Sequence, residues 1–147
     1  AISAHGSSNF ICLDDNNKPV FGTPSYDHPL TEDDHKLFYK AFGDPDELYV
    51  KTGTPNQSKA LNWAKLLFYQ KTKHPDQWKK VKYIVPLSVY IGSRLCGSTS
   101  SIASEHTQLH NHGYGVDTKG NFSSIIQKMG IENLSPLPKN LMIFWVV

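Results

Sequence analysis

Most apolar segments of this chain are short, and a glycine or a proline closes them. Gly43, Gly53 with Pro55, Pro75, Pro86, Gly97, Gly130 and the pair Pro136 and Pro138 cut the sequence into pieces. Proline has no backbone N–H to donate, and glycine takes up the left-handed conformation that ends helices. Between such stops there is room for short helices and short strands, and no apolar run is long enough to span a bilayer. The expected class is α+β (α/β): an N-terminal hairpin followed by several helices.

The pieces can be placed one by one. Phe10 to Leu13 and Pro19 to Phe21 are short apolar runs on either side of Asp14-Asp15-Asn16-Asn17-Lys18, a set of turn formers, which predicts a β-hairpin. Thr31 before Glu32, Asp33 and Asp34 is an N-cap followed by acids that suit a helix N-terminus. Leu37, Phe38, Ala41 and Phe42 follow at helical spacing up to Gly43. Asp44 and Pro45 start a short turn through Leu48. Ser58 is the expected cap of the longest helix, which runs to about Lys73 with Leu61, Ala64, Leu67 and Phe68 inward. Pro75 suits a first helical position, with Trp78 and Val81 inward. Tyr83 to Val85 reads as an extended piece, and Leu87, Tyr90, Ile91 and Leu95 mark a helix stopped by Gly97. Asn121 or Ser123 caps a last helix with Ile125, Ile126 and Met129. No internal repeat is visible.

Composition removes several function classes. The 147 residues make one domain or part of one, long enough for a real core. A net charge of +2 offers no electrostatic case for nucleic acid or an acidic membrane. The Lys-rich run from Lys71 to Lys82 is broken by Asp76 and Trp78, and reads as a solvated helix face rather than a phosphate-binding patch. Two cysteines, Cys12 in an apolar run and Cys96, make no disulfide framework. With no signal-peptide pattern, a reducing, cytoplasmic location is expected, and the sequons at Asn56, Asn121 and Asn133 are then chance. The apolar run Leu141 to Val147 reads either as a buried strand or as the stump of a fragment, and the fragment is the expectation.

Three places could carry chemistry. The loop Ala4-His5-Gly6-Ser7-Ser8-Asn9 precedes the first strand, and small polar residues with a glycine let a ligand approach the backbone; a plain capping loop has the same composition. Ser25-Tyr26-Asp27-His28-Pro29 combines ring, carboxylate and imidazole as polyol sites do, and also suits an ordinary turn. His106, His110 and His112 have spacings a zinc site could use. Glu105, however, precedes the first histidine instead of following it as in HExxH, so surface histidines are the plain account and no metal is assigned. No Walker-type loop, GxSxG or CxxC occurs, and no carboxylate pair stands out for acid–base work.

One ordered set of segments goes further. Lys51-Thr52-Gly53-Thr54-Pro55 is followed by Lys65-Leu66-Leu67-Phe68, His74-Pro75-Asp76, Val81 to Pro86, Tyr90-Ile91 and Arg94-Leu95-Cys96-Gly97. After the polar run Ser98 to Ser104 come Lys128-Met129-Gly130-Ile131 and Leu134 to Pro138. That order resembles part of the N-terminal domain of the FGGY carbohydrate kinases. In that family a strand ends in a Gln-Met-His-Gly type loop and a second strand leads to a Trp-x-Asp-x-Arg type motif. Here Ser7 and Ser8 fall near the Met-His pair, Tyr26 stands at the Trp and His28 at the Asp. Both motifs are altered. The His-Gly loop, the Ser-Tyr-x-His motif, Phe42 to Leu48 and Thr52 to Pro55 together resemble an FGGY subgroup of uncertain substrate.

The resemblance implies residues 1–147 as a partial FGGY N-terminal domain, a piece of a ribonuclease-H-like, actin-like ATPase fold. The parent would transfer the ATP γ-phosphoryl group, with Mg²⁺, to a hydroxyl of a ketose or polyol. His5, Ser7, Ser8, Tyr26 and His28 would hold the sugar. The altered motifs turn attention from xylulose and glycerol to deoxy-ketoses such as rhamnulose or fuculose. The family's Asp-x-Gly-Thr phosphate loop and its catalytic aspartate in a Gly-Asp segment have no counterpart here. No residue is therefore assigned a catalytic role, and the isolated chain is expected to bind neither ATP nor Mg²⁺ and to be inactive. A homodimer is an option for the parent; neither nucleic acid nor membrane is an expected partner. The alternative is a non-catalytic, kinase-like binding or structural module.

Overall fold

The computed structural model describes residues 10–22, 29–55, 62–97 and 113–134. Among them are two strands, six α-helices and a 3₁₀ turn: β1 (Phe10–Leu13), α1 (Glu32–Phe42), α2 (Pro45–Thr52), α3 (Trp63–Lys73), α4 (Pro75–Trp78), β2 (Tyr83–Pro86), α5 (Leu87–Cys96), α6 (Ser124–Met129) and the turn Glu132–Leu134. No helix of the described residues is long and apolar enough to cross a membrane.

The expected hairpin forms only in part. Asp14 Oδ1 accepts from the N–H groups of Asn16 and Lys18, so the turn is built as its composition suggests. Its second arm, however, is a single bridge between Leu13 and Pro19 with one more bond from Val20 N to Cys12 O. The long partner of β1 is β2, antiparallel, with Phe10 opposite Pro86 and Leu13 opposite Tyr83. Two packed faces explain why β1 is an unbroken apolar run. Phe10, Cys12 and Ile84 enter the main core, while Ile11, Leu13 and Val85 pack with Leu87, Val89 and Tyr90 of α5. Cys12 is a buried apolar filler whose Sγ lies 3.6 Å from Gln70 Oε1, and burial pushes its thiol up to about 12.

The helix ends follow local chemistry. In α1 Thr31 Oγ1 accepts from Asp34 N, and Thr31 N returns a bond to the Asp34 carboxylate, a reciprocal capping box. Asp44 caps α2, with Pro45 in its first turn, and α2 runs on to Thr52 instead of stopping at Leu48. Ser123 caps α6. The longest-helix expectation needs correcting: α3 starts at Trp63, because Asn62 is extended (φ −94°, ψ 96°) and its Oδ1 accepts from Lys65 N. Ser58 lies outside the described residues.

The inward face of α1 also differs from expectation. His35 and Phe38 are buried and Phe42 is half-buried, whereas Leu37 is 42% exposed. Phe38 stacks on Tyr114 at 5.7 Å and 16°, and meets Phe42 and the edge of Phe68. Spacing alone admitted both faces; these rings select the one they can reach. The lysine run is mostly solvated, with Lys73 paired to Asp34 and Lys79 to Asp76.

The core assignment has a direct test. Phe38→Ala is expected to destabilise the chain by about 3–5 kcal/mol in urea unfolding. Val50→Ala, on a side chain 75% exposed, is expected to stay within about 0.5 kcal/mol of wild type.

Candidate functional site

The side chains expected to hold a sugar, His5, Ser7, Ser8, Tyr26 and His28, lie outside the described residues, as do His106, His110 and His112. Phe10, directly after the first loop, and Leu30, two residues after His28, both sit in the core, while Pro29 between His28 and Leu30 is exposed. Phe10 packs on Trp63, with ring centroids 6.3 Å apart. The first turn of α3 is thus fixed beside the start of β1. Among the described residues no three His, Cys, Asp or Glu side chains are grouped closely enough to hold a metal ion.

A polar cluster is buried where α1, α3 and the segment 113–116 meet. Lys65 is 1% exposed, on the inward side of α3. Its Nζ lies 3.3 Å from His35 Nδ1 and 4.5 Å from the centroid of the Tyr39 ring. An ammonium only donates, so the imidazole nitrogen facing it must be unprotonated for this contact to bond. The aromatic face offers a second, weaker attraction. Burial outweighs both and lowers the Lys65 pKa to about 8.

Tyr114 forms the far wall. Its backbone is left-handed (φ 59°), which is uncommon outside glycine and asparagine. Two hydroxyls hold it there: Tyr114 N donates to Thr54 Oγ1 at 3.0 Å, and Ser123 Oγ donates to Tyr114 O. Thr54 N in turn donates to Thr52 Oγ1, and Thr52 Oγ1 to Leu48 O. This relay joins the end of α2 to the cap of α6. Burial, and after it the Tyr39 phenol, pushes the Tyr114 hydroxyl well above the usual phenol range; burial raises Tyr39 too. The two phenols interact, but Tyr114 Oη lacks a well-formed hydrogen bond and is buried.

The head of α3 carries two further orphans. Asn62 Nδ2 and Trp63 Nε1 are buried donors without a hydrogen-bond partner among the described residues. Gly113 (φ +91°) lies against Asn62 so closely that a Cβ there would sit 2.8 Å from its Cγ and Nδ2. Glycine therefore answers two constraints at this position, backbone angle and space.

Sequence reasoning did not single out Lys65, Asn62 or Trp63 as functional. Lys65 sits four residues after Leu61 inside the run Leu61–Phe68, so a lysine on the apolar stripe was the available signal. The orphan donors leave no trace in composition, because pairing is a property of three-dimensional neighbours.

No protein-family model and no curated protein matches this chain. Its fold is similar to several solved structures. One is a carbohydrate kinase from Novosphingobium aromaticivorans, with a TM-score of 0.76 and 24% identity over 91% of this chain and 27% of that one. Another is a xylulose kinase from Rhodospirillum rubrum, with a TM-score of 0.69 and 16% identity over 87% of this chain and 26% of that one. The chain thus shares the fold of part of these kinases and spans about a quarter of their length.

Lys65 predicts a pH effect on stability. Its folded pKa lies below the ordinary 10.5, so between about pH 8 and 10.5 the unfolded chain holds more protons than the folded one. Stability from this group therefore rises with pH across that window, and the cost of the buried ammonium is full below it. Cys12 acts in the opposite sense above its ordinary value of 9.0, so the readout is a difference. The unfolding free energy of wild type minus that of Lys65→Met should climb from pH 8 to 10.5; a flat difference would contradict the assignment.

Proposed function

We propose that this chain is part of the N-terminal, ribonuclease-H-like domain of an FGGY-type carbohydrate kinase. The observation that carries this is the likeness of fold to carbohydrate kinases over nine-tenths of the chain. It coincides with the segment order from Lys51 to Pro138, which points to the same family. The parent protein, in this reading, is cytoplasmic and transfers the ATP γ-phosphoryl group to a hydroxyl of a ketose or polyol. One structural neighbour is a xylulose kinase, which supports a ketose acceptor. The altered motifs favour a deoxy-ketose over xylulose itself.

His5, Ser7, Ser8, Tyr26 and His28 are the proposed sugar contacts. Hydroxyls and imidazoles match sugar O–H groups as donors and acceptors, and the Tyr26 ring suits the C–H face. Phosphoryl transfer depends on holding phosphate, metal and base in one geometry. The proposed division is that this segment supplies sugar contacts and a scaffold, while the nucleotide and the catalytic base belong to other parts of the parent.

The test is a coupled ADP assay on the parent protein with MgATP and a panel of ketoses and polyols. ADP formation that depends on one sugar is expected, with none from the isolated 147-residue chain. His28→Ala and Ser8→Ala should each raise the sugar KM roughly tenfold while leaving the ATP KM unchanged. A parent that forms no ADP with any sugar would refute the kinase reading and leave a binding module as the account.

A further inference from the structure

We draw no further inference here: the strongest candidate, the partly exposed aromatic patch of Phe21, Tyr69, His74 and Trp78 where α3 gives way to α4, carries nothing because nothing in the structure shows what covers it.

Discussion

Phe38 lying flat on Tyr114 is the contact on which the rest of this structure depends. Phe38 belongs to α1 and Tyr114 to an irregular segment 76 positions later, so no local propensity brings them together. The stack works only because Tyr114 is held in a left-handed backbone conformation by Thr54 on one side and Ser123 on the other. Each of those hydroxyls also has a local duty, in the turn after α2 and as the cap of α6. One ring pair thereby couples α1, α2 and α6, and closes the space into which α3 inserts. An aromatic pair is worth only about 0.5–1.5 kcal/mol beyond its buried area, but this one is also the geometric reference for everything around it.

Lys65 shows what that enclosure does to a charge. A lysine taken out of water loses hydration that neither an imidazole nitrogen nor an aromatic face fully replaces. The lowered pKa is the measure of that shortfall. Such a residue is poor evidence for stability and better evidence for specificity, since it accepts few alternative neighbours. The unpartnered donors of Asn62 and Trp63 lie three and two residues before it, so the head of α3 holds two of the four buried polar atoms without a hydrogen-bond partner among the described residues. Natural sequences depart from local consistency mainly at functional or strained positions.

Much of the secondary structure was legible because its signals are local. Thr31 with Asp34, Asp44 with Pro45, Ser123, and the glycines after α1, α2, α5 and α6 all act within a turn of their own position. The misses share one cause. Leu37 and Phe38 compete for the same face by periodicity, and only Tyr114 and Phe68 decide between them. Asn62 takes over the start of α3 because its side chain reaches Lys65 N while its backbone stays extended. The arm Pro19–Phe21 makes a single bridge at Pro19, and the full ladder of β1 goes to the distant Tyr83–Pro86, a pairing that no local signal announces. The fold likeness was carried by segment order, whereas the sugar side chains, named from altered motifs, stand on resemblance alone.

The pairing of β1 with β2 sets an order of events during synthesis. Tyr83 follows its partner Leu13 by 70 positions. At about 5–20 residues per second, the apolar strand Phe10–Leu13 leaves the ribosome roughly 4–14 seconds before its ladder can form. In that interval both faces of an unbroken apolar tetrapeptide are uncovered, and only the Asp14–Lys18 turn shields its C-terminal end. The nascent chain is therefore exposed to misassociation at β1 during that interval, and the arrival of α5 immediately behind β2 closes the ladder and its outer face almost together.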